Sequence, residues 1–143
     1  GKEAGPSSAI RVGGDMPRGE RALLVTCLLG GVLLAGIGVR YLLVPEAAAL
    51  TFGIPRRPAG LELHYVTGLR NLWLGALAIA FATWRDWRAL ALWFAMAAIV
   101  CFADAFIAAR SVGSPWHVAF HAGCGVASLL LAGGAWQAFR RRC

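Results

Sequence analysis

Acidic side chains are scarce in this chain. Seven Asp and Glu stand against fourteen Lys and Arg in 143 residues, and charged residues of both signs make up only 15%. Soluble domains carry about 25% charged residues, so the deficit argues against a surface that faces water on all sides. The few carboxylates do not cluster and no HExxH occurs, which removes the familiar frames for zinc or iron. Four cysteines, Cys27, Cys101, Cys124 and Cys143, lack metal-ligand spacing, and the first three fall in apolar runs where a thiol acts as a small hydrophobe. No disulfide and no metal are expected. Internal repeats are not evident either, and the pattern of Pro and Gly does not suggest the broken, inverted helices of many transporters.

What the chain has is apolar length. Hydrophobic residues reach 59% and the mean hydropathy is +0.64, values that belong to the membrane class. Four runs, about residues 22–44, 61–84, 89–109 and 116–139, are each long enough at 1.5 Å per residue to cross a hydrocarbon core of roughly 30 Å. Between the first two, PEAAALTFGIP is too short to span. It reads as a brief helix lying at the interface, with Pro45 at its start and Gly53 at its end. The fold expected is therefore all-α, a four-helix transmembrane bundle with a short interfacial helix after the first span. Residues 1–20, rich in Gly, Pro, Ser and charge, form a polar tail ahead of a membrane domain over 21–143. The first run has no convincing small-x-small cleavage site and reads as a retained span rather than a signal peptide.

A net charge of +7 raises nucleic acid as a partner, but the basic residues lie at the ends and between apolar runs instead of in one stripe. They read as a topology signal. Nine of them, Lys2, Arg11, Arg18, Arg21, Arg85, Arg88, Arg140, Arg141 and Arg142, fall on one side, against Arg40, Arg56, Arg57 and Arg110 on the other. The bias places both termini in the cytoplasm, with a bacterial inner membrane as the setting. Trp84, Trp87, Trp116 and Trp136 near span ends suit an aromatic belt, and Trp73 and Trp93, which are deeper, suit packing.

Arg70 interrupts this pattern. It sits inside the second span, where a cation costs at least ~2.5–3.5 kcal/mol on insertion scales, and so requires a carboxylate, a carbonyl, water or a bound anion. Asp104 in the third span is at a compatible depth, and Asn71 and His64 lie on the same span as Arg70. His64, Thr67, Gly68, Asn71 and Gly75 share a polar, small-residue face of an ideal helix. On the fourth span, His117 and His121 are one turn apart. His117 falls at the boundary, while His121 is deep enough to hydrogen-bond Asp104 or Asn71, and is where a haem or chlorophyll ligand would be sought. The sequence names no cofactor. Arg70 with Asp104 reads either as an ion pair that fixes helix register or as part of a pocket, in which Asp104 and His121 are the acid/base candidates and Arg70 holds an anion or carbonyl.

RYLLVP at 40–45, FGIP at 52–55, GLRNLWLG at 68–75, DAFIAAR at 104–110 and His121 together resemble the small four-span membrane proteins grouped as domain of unknown function 4267. The resemblance covers about residues 40–131. It implies the four-span fold and supplies no activity. Where that family reads Gly-x-Arg-Asp, this chain has Gly68, Leu69, Arg70 and Asn71, which takes away a carboxylate at 71 and makes Asp104 the main counter-ion.

Two functions stay open. One is an accessory subunit of a larger membrane complex, such as a redox or light-harvesting assembly, packing against other subunits through its spans and residues 1–20. The other is a small membrane enzyme or binding protein that acts on a lipophilic molecule through an Arg70/Asp104/His121 pocket.

Overall fold

The computed structural model describes residues 16–53, 60–111 and 114–143. Five helices account for most of them: α1 (Arg18–Leu43), α2 (Pro45–Phe52), α3 (Glu62–Thr83), α4 (Trp87–Arg110) and α5 (Pro115–Arg140). All but α2 are long and apolar enough to cross a membrane. The expected all-α architecture is what the structure shows, and the chain is an integral membrane protein. Residues 1–15 of the expected tail lie outside the described residues. Arg18, Gly19 and Glu20, also assigned to the tail, are instead the first turn of α1.

Local chemistry explains where the helices stop and start. Pro45 opens α2 at a position whose N–H has no intrahelical acceptor in any case, and Gly53 closes it in the left-handed region at φ 101°. Pro115 opens α5 in the same way. Between α3 and α4 only three residues turn the chain, and the Asp86 carboxylate accepts from the Ala89 N–H at 3.0 Å to cap α4.

The spans pack as two close pairs, α1 along α3 and α4 along α5, with sparse contact between the pairs. Glycine makes the first pair possible. A Cβ built on Gly31 would stand 3.1 Å from the Gly75 carbonyl oxygen, and one on Gly38 would stand 2.7 Å from that of Gly68. In return, a Cβ on Gly75 would meet the Gly31 carbonyl oxygen at 2.6 Å, and one on Gly68 that of Gly38 at 3.0 Å. Two glycine pairs thus let two backbones touch, in a solvent where close dispersion packing and not water exclusion drives helix association. In the second pair, Gly125 accepts the edge of the Phe102 ring.

The four spans share one apolar core, confined to the half of the bundle that carries the termini. Cys27, Ala82, Trp87, Leu90, Phe94, Ala132 and Ala135 are buried there. The expectation of a belt position for Trp87 does not hold. It is 3% exposed, and the Arg142 guanidinium lies 5.5 Å over its ring. Arg142 also donates to Glu20 at 2.6 Å, which ties the end of α5 to the start of α1. Trp73, expected to pack, faces outward at 64% exposure.

Candidate functional site

In the opposite half of the bundle the large apolar core gives out. A small cluster of Tyr41, Ala48 and Ala49 remains, with Ile37 and Phe52 against it, and polar side chains stand where the core would continue. By helix rise, Arg70 lies about 12 Å into α3, Asp104 about 9 Å before the end of α4 and His121 about 9 Å into α5, all measured from the same membrane face. The depths agree within one helical turn.

The structure brings most of the expected residues into this one region. His64 is buried at 9% exposure, its ring centroid 6.0 Å from that of Tyr41. Tyr41 packs through the α2 cluster toward Phe52, whose ring lies 4.4 Å from His121. Asp104 is half-buried on α4, and Tyr41 is 6% exposed near the end of α1. Asn71 is half-buried beside Arg70, and Arg70 itself is exposed at the outer margin of α3.

The direct pairings expected from sequence do not form. Among the described residues the ion pair is Arg142 with Glu20; Arg70 and Asp104 do not come within ion-pair distance of each other. His121 bonds neither Asp104 nor Asn71. Its Nε2 lies 3.3 Å from the Phe52 carbonyl, a contact that needs the Nε2–H tautomer to donate. The reason is α2: its last carbonyls have no intrahelical donor, and His121 supplies one from across the bundle. His117 is held separately, with Nδ1 2.9 Å from the Ser114 hydroxyl and its ring beside Gly53. Thr67 turns back onto its own helix, donating to the Leu63 carbonyl at 2.8 Å, while His64, Gly68 and Gly75 of the same expected polar face are buried and the two glycines meet α1. Among the described residues no three His, Cys, Asp or Glu side chains gather as a metal-ligand set.

What remains is a set of polar side chains in one half of the bundle that do not bond one another. The side chains of Tyr41, Arg70, Asn71 and Asp104 make no hydrogen bond among the described residues, and the buried His64 Nε2 has no partner. Open hollows of about 440 Å³ beside Arg18, Arg21 and Val25 and about 270 Å³ beside Glu20 and Gln137 lie at the other end of the bundle, away from this chemistry. Sequence reading missed Tyr41. Its only signal is a polar aromatic two residues before a span ends, directly after Arg40.

Compared with known proteins, the chain matches a family model over residues 31–136, described as "Domain of unknown function (DUF4267)". No curated protein and no solved structure matches it.

Proposed function

The chain belongs to the domain of unknown function (DUF4267) family, and from that premise we propose that it is a small membrane binding protein that holds a lipophilic molecule by its polar head. The head sits among Tyr41, His64, Arg70, Asn71, Asp104 and His121. One observation carries this reading: the Nε2 of the buried His64 has no hydrogen-bond partner, and Arg70 and Asp104, at similar depth by helix rise, form no ion pair with each other. Two opposite charges left apart in a low dielectric cost several kcal/mol each unless something polar lies between them. Asp104 and His121 are then the acid/base pair for any turnover of the held molecule.

Purification in a mild detergent, followed by mass spectrometry of the extracted lipophiles, tests the proposal. A molecule retained in stoichiometric amount by the native protein, and lost in Arg70→Ala at unchanged folding, is the expected result. Extracts indistinguishable between the two proteins would count against it. The same preparation tests the accessory-subunit reading, which is favoured by the outward face of α3, where Leu63, Val66, Leu69 and Trp73 are exposed. Other chains co-purifying at fixed ratio would support that reading. The arginine bias further supports an orientation with both termini in the cytoplasm of a bacterial cell.

A further inference from the structure

At the end of the bundle away from the polar cluster, we infer a site for an anionic phospholipid on the outer face of α1, independent of the binding reading above. The face begins with two arginines. Arg18 and Arg21 are exposed one helical turn apart, and among the described residues neither makes a hydrogen bond or an ion pair. Glu20, the carboxylate between them in sequence, is buried and paired with Arg142 instead. Like charges at this spacing repel, and a phosphate that accepts from both guanidiniums relieves the repulsion. Space for it exists: a hollow of about 440 Å³ opens beside the two arginines, lined otherwise by Ala22, Val25 and Thr26. The Thr26 hydroxyl donates to the Ala22 carbonyl at 2.9 Å, so the arginines are the donors that the hollow offers. What lies below them selects a lipid over a free phosphate. Arg18, Arg21, Val25, Leu29, Val32 and Gly36 fall within about one hundred degrees on an ideal helix. Val25, Leu29 and Val32 are exposed, and a Cβ on Gly36 would meet nothing within 4 Å. From Val25 to Gly36 this is an apolar track of about 17 Å by helix rise, on which an acyl chain lies once its phosphate is held. Charge selects the head. Arg85, Arg88, Arg140 and Arg141 are exposed at the same end, and basic clusters beside a span favour anionic over zwitterionic lipid.

The test uses the full chain reconstituted in phosphatidylcholine vesicles that contain a trace of phosphatidylglycerol or phosphatidylcholine with a photoreactive acyl chain. Labelled peptides are identified by mass spectrometry after illumination. An arginine near an anionic surface contributes roughly fivefold to lipid binding, so two of them should give phosphatidylglycerol at least ~10-fold more labelling of the Val25–Val32 segment than phosphatidylcholine gives. Arg18→Gln combined with Arg21→Gln should remove that preference at an unchanged unfolding midpoint, since both side chains are exposed. Arg85→Gln combined with Arg88→Gln removes the same charge from the same end outside the hollow, and should leave the segment's labelling within about twofold. Equal labelling by the two lipids overturns the site. So does an equal loss in the two double variants, which would show diffuse attraction to the whole basic surface. Glycerol phosphate, a soluble head without acyl chains, should fail to compete at millimolar concentration; displacement by it would show a free phosphate site and overturn the lipid assignment.

Discussion

Single side chains decide how the two ends of the bundle are closed. Glu20 is only 8% exposed and relies on Arg142, which is itself half in solvent. Removing the cation strands a buried carboxylate, so Arg142→Ala should cost about 1–3 kcal/mol, read as a lower midpoint in detergent unfolding. Glu20→Gln, which strands no charge, should cost less; the reverse order would mean that Glu20 is already hydrated. At the other end Gly53 holds φ 101° with a Cβ position 3.0 Å from the His117 ring. Gly53→Ala therefore forces a left-handed backbone on a residue with a side chain, at a cost of roughly 1–2 kcal/mol, before any clash with His117. A midpoint shift of less than half that would show that α2 can end another way. These contacts were only partly legible in sequence. Arg70, His64, Asp104 and His121 announced themselves by charge or polarity inside apolar runs. The partner of His121 did not, because it is a main-chain carbonyl 69 residues away, and every residue has one.

At the scale of elements, hydrocarbon thickness and proline placement made the helices readable, since both act on local sequence. Which helix packs against which was not readable from length. It follows from matching glycines on α1 and α3, and only the backbone trace shows that Gly31 meets Gly75 and Gly38 meets Gly68. Gly36 provides the internal control, because a Cβ there meets nothing within 4 Å. Gly38→Val should destabilise by at least ~3 kcal/mol, at or beyond the upper end for overpacking because the obstructing atoms are backbone and cannot rotate away. Gly36→Ala should stay within about 0.5 kcal/mol of the parent. Equal effects in an equilibrium unfolding assay would mean that the seam is looser than the contacts indicate.

For the whole molecule, two helix pairs are joined by a shared core at one end and by α2 with His121 at the other. Because the closest packing lies within each pair, residues 16–85 and 86–143 expressed as separate chains should associate and co-purify, and Trp87→Ala, which empties the shared core, should abolish this. Fragments that never associate would indicate that the Arg85 turn is required to hold the pairs together. Orientation is open to a direct measurement. Cys143 is exposed while Cys27 is buried, so a membrane-impermeant thiol reagent should label inside-out vesicles at Cys143 and leave intact spheroplasts unlabelled. Labelling of spheroplasts would reverse the topology inferred from the arginines.

The glycine seam also acts as a ruler. Notches seven residues apart on each helix, 31 and 38 against 68 and 75, engage together in one antiparallel register, and a slip of one heptad, about 10 Å, keeps only a single pair. The α1 and α3 spans therefore cannot slide past each other to suit a thinner or thicker bilayer. Tilting is the adjustment left to them, at a cost of fractions of a kcal/mol per ångström of mismatch. Two pairs of missing side chains thus fix how far α1 and α3 overlap along their axes.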